Sequence, residues 1–233
     1  MKRTGGAEAA KRAAGRAAAA EVSDGDLVGL GTGSTAAHAI RRLGERVADG
    51  LDVEGVATSH QSRALAREVE IPLVPLSDVD RVDIDVDGAD QVHADADANA
   101  LVKGGGAAHA REKVVAAAAD RLLVVADDSK LSATLDHPIP VELLPDALAR
   151  VERAVREAGG DPTLRTADRK DGPVVTDNGN LVLDCEFGAV EEPAALSAAL
   201  SGVAGVVEHG LFVDMADELL VGDADGDVVR REP

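Results

Sequence analysis

An apolar run, Leu27-Val28-Gly29-Leu30, leads straight into Gly31-Thr32-Gly33-Ser34-Thr35, and a helical pattern then runs from Ala36 to Val47. A buried strand that feeds a helix through a tight glycine turn opens a βαβ unit, and the next strand must then run parallel to the first. The pattern recurs. Leu51 to Ala57 reads as a second strand, with Thr58-Ser59 capping a helix from about Gln61 to Val69. Val82 to Asp87 alternates strictly, with Val82, Ile84 and Val86 on one face and Asp83, Asp85 and Asp87 on the other. A helix spans about Ala108 to Ala119, and Leu122 to Val125 is a further buried strand ending in Asp127-Asp128-Ser129-Lys130. An amphipathic Ala-rich helix, Ala7 to about Glu21, precedes the whole series. Alternation of this kind predicts an α/β fold, a mainly parallel sheet with helices on both faces.

The character changes after His137-Pro138-Ile139-Pro140. Pro145 to Ala158 and Pro193 to Leu200 read as helices. Val174 to Asp184 reads as a hairpin turning at Asn178-Gly179. The mixture predicts a small α+β domain over 136–207. The last segment, Val206 to Val229, carries short strand signals and is expected to return to the first sheet.

Charge excludes several partners. With 43 Asp+Glu against 24 Lys+Arg the formal net charge is −19, and a surface of that sign repels nucleic acid and anionic membranes. No run approaches the roughly 18 apolar residues of a membrane helix, and the N-terminus lacks an apolar signal core, so a cytoplasmic location is expected. One Cys leaves no intramolecular disulfide framework and no Cys-based zinc site. Abundant acids with only six Lys read as adaptation to a salty cytoplasm, where screening removes self-repulsion. A GC-rich genome gives the same excess of Ala and Arg.

In open parallel sheets, ligands bind beyond the carboxyl ends of the strands. Polar clusters stand at four such ends, 31–35, 58–60, 87–90 and 127–130, and a fifth, 103–106, opens a helix. The first fits a dinucleotide fingerprint poorly: Ser34 stands where a third glycine is wanted, and the second strand ends in Thr58-Ser59 without an acid for a ribose hydroxyl. A monophosphate cradle suits it better, with backbone N–H groups, the helix dipole and the hydroxyls of Thr32, Ser34 and Thr35 all facing an anion. An ordinary capped turn is the plain alternative. Asp83-x-Asp85-x-Asp87-Gly88 imitates a calcium loop, but Ala94 occupies the position that needs a bidentate Glu. Asp95-x-Asp97-x-Asn99 fails likewise, at Ala100. Asp87 and Asp90 flank a Gly-Ala turn and face Lys103-Gly104-Gly105-Gly106, with Glu112 on the following helix. A carboxylate partly desolvated in such a crevice can act as a base toward a C–H acid. Acidic caps and a surface glutamate are the plain alternative here.

Taken together these motifs resemble the type A ribose-5-phosphate isomerase family. Gly31 to His38, Asp87-Gly88-Ala89-Asp90, Lys103 to Ala108, Arg111-Glu112-Lys113 and Asp127-x-Ser129-Lys130 carry the resemblance. So do Pro138-x-Pro140-Val141-Glu142, Thr176 to Asn180 and Gly210-Leu211-Phe212, in the family's order and over nearly the whole chain. The resemblance implies interconversion of D-ribose 5-phosphate and D-ribulose 5-phosphate through a cis-enediolate, with no metal and no organic cofactor. It implies Glu112 as the base, Asp87 and Asp90 as assistants at the sugar oxygens, and Lys103 with the backbone of Gly104, Gly105 and Gly106 as stabilisers of the enediolate. Thr32, Gly33, Ser34, Thr35 and Lys130 would hold substrate, with Gly88 and Ala89 beside it. Lys11 stands where the family often has a phosphate-side lysine. The fold expected on both grounds is a Rossmann-like catalytic domain (1–135 and 208–233) with a ferredoxin-like lid or oligomerisation domain (136–207). The resemblance also implies a homodimer or homotetramer. Two features depart from the family: Gln91 replaces its usual Glu, and the acidic 91–102 loop is longer, both bearing on the approach to the site.

Three other readings stay open on the residues. A non-catalytic sugar-phosphate sensor would keep the cradle without needing Asp87, Lys103 and Glu112 together. Another phosphosugar isomerase or a lactonase would differ in substrate, and an oxidoreductase would bind NAD(H).

Overall fold

The computed structural model describes residues 8–93, 99–169 and 171–231. In chain order the first half holds α1 (Glu8–Ala20), β1 (Leu27–Leu30), α2 (Ser34–Ala48), β2 (Glu54–Ala57), α3 (His60–Glu68) and β3 (Ile84–Gly88). Then come β4 (Gln91–His93), β5 (Ala100–Val102), α4 (His109–Ala118), β6 (Leu122–Asp127) and β7 (Leu131–Ser132). The second half holds β8 (Ile139–Leu143), α5 (Leu148–Glu157), β9 (Asp161–Leu164), β10 (Leu181–Glu186), α6 (Pro193–Ser201), β11 (Val206–His209), β12 (Leu211–Val213), β13 (Glu218–Gly222) and β14 (Val228–Arg231).

The main sheet has the order β14-β13-β6-β3-β1-β2 and is parallel except for β14. From β1 the chain steps outward to β2, then crosses back to β3 on the other side. The strand order therefore reverses between β1 and β3, and a crevice opens beyond their carboxyl ends. One face of the sheet is covered by α1 and α2, where Ala14, Ala18, Ile40 and Leu43 pack on Val28, Leu30, Val86, Leu123 and Val125. Alanines on α1 allow the two helices to lie close.

The opposite face is covered only partly by a helix. Beside α4 lies a second sheet, order β12-β5-β4-β7, whose Val92, Leu101 and Phe212 pack on Leu122, Val124 and Ala126 of β6. Within the stretch expected as a polar loop over 89–99, Gln91–His93 forms β4, which pairs antiparallel to β5. Both strands are three residues each, too short for a periodicity to register. The acidic run at 94–98, including the Asp95 and Asp97 of the rejected calcium pattern, lies outside the described residues, as do Lys2, Lys170 and Ala7 at the expected start of the first helix.

The third sheet, order β11-β8-β10-β9, is antiparallel throughout. Its chain order, β8-α5-β9-β10-α6-β11, is the ferredoxin-like βαββαβ pattern. Ile139, Val141, Leu143, Leu183 and Cys185 bury one face under Val151, Val155 and Leu200. The hairpin expected over 174–184 forms its turn, with Gly179 N–H donating to Thr176 O at 2.9 Å. Its first arm shrinks to a single bridge, Val175 with Leu181, because β8 and β9 already occupy both edges of β10. Beyond β11, the chain enters the second sheet as β12 and returns to the main sheet as β13 and β14. No helix among the described residues is long and apolar enough to cross a membrane.

Candidate active site

The crevice between β1 and β3 is a cleft of about 480 Å³, lined by Thr32, Gly33, Ser34, Thr35, Gly88, Ala89, Asp90, Lys103, Gly104, Gly105, Gly106, Glu112 and Lys130. Of the residues expected to bind substrate, all lie on that wall except Asp87, which sits directly behind it, and Lys11. On one side, Gly33 takes φ +127°, a conformation that favours glycine, and α2 starts at Ser34 with no side-chain cap. The first N–H groups of α2 are thereby left for an anion, with the helix dipole behind them. The Thr32 hydroxyl is not one of the donors expected for that anion. It donates to Ser59 Oγ at 2.7 Å and lies 2.9 Å from Thr58 Oγ1. The 58–60 cluster is therefore a brace behind the cradle, and Ser59 caps α3 through a reciprocal capping box with Ser62.

Across the cleft stand three buried charges from three elements. Asp87 ends β3, Lys103 follows β5, and Glu112 lies in the first turn of α4; each is at most 3% exposed. Lys103 Nζ is 3.0 Å from Asp87 Oδ2 and 3.3 Å from Glu112 Oε2, donates also to the Gly88 carbonyl, and lies 5.2 Å from the centre of the Phe212 ring. Asp87 Oδ1 accepts the N–H groups of Thr32 at 3.0 Å and Gly88 at 2.7 Å. Asp90 Oδ2 accepts the Gly105 N–H at 2.6 Å and so shapes the glycine loop. Lys130 reaches the cleft around a single turn whose start is capped by Asp127, through the Ser129 N–H at 3.1 Å. Lys11 lies on α1, outside this lining.

Burial sets the protonation states. It pushes the Glu112 carboxyl up to about 8, helped by the negative charge of Asp87 and opposed by Lys103. Burial also raises Asp87, and Lys103 with the backbone N–H groups of Gly88 and Thr32 opposes that rise. Desolvation works against the Lys103 charge, yet Asp87 and Glu112 outweigh it and hold its pKa above the ordinary lysine value. The cleft thus contains a fixed cation beside a carboxyl that changes charge near neutrality.

One acid escaped the reading of the sequence. Asp85, on the same face of β3 as Asp87, is fully buried, and no side chain among the described residues hydrogen-bonds either of its oxygens. Gly29 on β1 and Gly31 just beyond it leave space for these two acids: a Cβ at Gly29 would lie 2.3 Å from Asp85 Oδ1, and one at Gly31 2.2 Å from Asp87 Oδ1. Burial and the Asp87 charge raise Asp85 well above the ordinary value, which favours its neutral form. The alternation of Asp83, Asp85 and Asp87 was the available signal; that α4 covers that face was not visible in it.

Gln91 does not face the approach to the cleft. It is buried, and its amide oxygen accepts from Asp136 N at 2.9 Å and His137 N at 2.8 Å while its NH₂ donates to Asp136 Oδ1 at 2.6 Å. An amide is required because it faces two donors and a carboxylate at once. Gln91→Glu is expected to lower the unfolding free energy at pH 7 by about 1–3 kcal/mol, two acids then meeting at that contact. Denaturant melts at pH 7 and pH 4 check it, the loss shrinking as the pair protonates.

Fold and site together define a Rossmann-like α/β protein with an anion cradle and a buried acid–lysine cluster at its switch point, the equipment of a phosphosugar enzyme. The family model described as Ribose 5-phosphate isomerase A (phosphoriboisomerase A) matches residues 54–226. Proteins named ribose-5-phosphate isomerase A from Natronomonas pharaonis and Haloarcula marismortui are 64% and 63% identical, over 99% and 97% of this chain and 100% and 97% of theirs. The solved ribose 5-phosphate isomerase A of Methanocaldococcus jannaschii superposes with a TM-score of 0.90 at 42% identity, covering 96% of this chain and 98% of that one. A D-ribose-5-phosphate isomerase solved in complex with phospho-erythronic acid superposes at 0.91 with 38% identity, over 96% and 97% of the two chains. The chain belongs to the ribose 5-phosphate isomerase A family, and its relatives in haloarchaea agree with the salt-adapted reading of its charge.

Proposed function

We infer that the protein interconverts D-ribose 5-phosphate and D-ribulose 5-phosphate, a step of the non-oxidative pentose phosphate pathway. The observation that carries this is the buried Glu112 carboxyl, 3.3 Å from the Lys103 ammonium and open to the same cleft as the anion cradle. The phosphate sits on the N–H groups of residues 33–35 with Lys130 beside it, and this anchor holds the reacting carbons still. Asp90, on the cleft wall, serves ring opening at the sugar oxygens. Glu112 removes the proton on C2 of the open aldose. The C–H electron pair becomes the C1–C2 double bond, and the carbonyl pair moves onto O1. Lys103 and the glycine backbone of 104–106 stabilise that oxyanion, while Asp87 holds Lys103 in place. The hydroxyl proton passes from O2 to O1, and Glu112 returns its proton to C1, giving the ketose.

Purified protein in molar KCl is expected to convert ribose 5-phosphate to ribulose 5-phosphate and to turn over unphosphorylated ribose far more slowly. Tight binding of ribose 5-phosphate without turnover would instead favour the sensor reading. Activity should rise with salt, because the acidic surface repels an anionic substrate until it is screened; rates falling steadily from low to molar salt would contradict this. A cytoplasmic homodimer or homotetramer completes the proposal, to be checked by light scattering in molar salt.

A further inference from the structure

We propose that the turn Thr176–Asn180 is a clasp that sets the spacing between the phosphate cradle and the base, with Asp177 and Arg111 as positioning residues on its two arms. The inference rests on the isomerase reading of the cleft.

The turn is anchored on the ferredoxin-like sheet. Thr176 Oγ1, Asn178 Nδ2 and Asn180 Nδ2 all donate to one oxygen of Glu142, at 2.9, 3.0 and 2.8 Å, and Glu142 is fully buried on β8. Three donors converging on one buried carboxylate oxygen leave the turn little freedom. From this base, two arms reach the other sheet's helices.

The first arm ends at α3. Asp177 Oδ2 accepts the His60 N–H at 2.6 Å, at the first residue of that helix, where a negative charge is favoured. The residue before it, Ser59, takes the hydroxyl of Thr32 in the cradle wall. The second arm ends at α4. Arg111 Nε donates to Asn178 Oδ1 at 2.9 Å and Arg111 Nη2 to the Asp177 carbonyl at 3.3 Å. Arg111 immediately precedes Glu112. A single turn, bonded to residues 66 to 117 positions away in sequence, therefore holds both the brace of the anion cradle and the helix that carries the base. Reacting groups displaced by about 1 Å lose up to roughly a hundredfold in rate, so such a link has kinetic consequences.

The two arms act on different steps, and steady-state kinetics separates them. Asp177→Ala is expected to raise KM for ribose 5-phosphate about tenfold with kcat held within threefold, since the cradle loosens while the base stays. Asp177→Asn keeps an acceptor for the His60 N–H and should restore KM to within threefold of wild type. Arg111→Leu should lower kcat about tenfold with KM held within threefold. Both side chains lie at the surface or half-buried, so the variants are expected to fold. Hydrogen exchange should speed up at residues 60–63 in the first variant and at residues 109–113 in the second. The clasp is overturned if neither variant moves either parameter more than twofold, or if both lower the same parameter in step with a common drop in Tm. An inactive wild type would fail the isomerase reading itself, a result distinct from an active wild type with indifferent variants.

Discussion

Glu112→Gln is expected to lower kcat at least about a hundredfold, the low end for removal of a positioned base, while KM for ribose 5-phosphate changes little. Gln fills the same space and can still accept from Lys103, so the loss isolates proton transfer. The wild type should show a matching pH signature. Only the ionised carboxylate is a base, and burial holds its pKa up at about 8. The value of kcat/KM should therefore fall about tenfold per pH unit below 8, and that limb should vanish from the residual rate of the variant. Stability moves the opposite way. An acid whose folded pKa exceeds its unfolded value of 4.5 favours the native state least once it is ionised in both states. Its cost appears as pH rises from about 4.5 and is complete above about 8. Glu112→Gln should thus unfold at a higher temperature than wild type at pH 8.5, by a gain on the order of a few kcal/mol, with the two converging toward pH 4. A variant that is both active within tenfold and no more stable would remove Glu112 from the reaction.

Lys103→Met should be the more damaging change overall. It removes the cation that faces the developing oxyanion, worth about 10²–10³ in kcat for one such donor. It also leaves Asp87 and Glu112 buried without their shared partner, and breaking a buried pair in this way costs about 3–5 kcal/mol. Lys103 lowers the Glu112 pKa, so its loss should drive the acid limb of the residual rate above 8. Lys103→Arg should not rescue, because a planar fork cannot replace a point charge enclosed by Asp87, Glu112, the Gly88 carbonyl and the Phe212 ring. Denaturant melts and a pH–rate profile check all three statements. An unmoved limb would mean that the ammonium and Glu112 do not share one electrostatic site.

Much of this was legible in the chain itself. The βα repeats, the glycine turn at 31–35 and the two helices of the α+β half are encoded by residues within a few positions of one another, where periodicity and backbone preference operate. The motif order marked the cleft residues because each ends a strand or opens a helix of the parallel sheet. The β4–β5 pairing was missed for the same reason reversed: three-residue strands owe their form to partners elsewhere, β12 among them. Gln91 was misjudged because its purpose is Asp136, 45 positions away.

Sequence alone therefore determined the parallel βα core, the glycine turn that opens α2, the acidic surface and the identity of the acids and lysine around the cleft. Tertiary structure decided what those groups are chemically. Asp87, Lys103 and Glu112 come from separate elements, and nothing in their spacing states that they meet at 3.0 and 3.3 Å, almost wholly buried at the back of the cleft. A pKa near 8 arises from desolvation and from charges brought together by packing. Those depend on distance in space, to which a linear string of residues gives no direct measure.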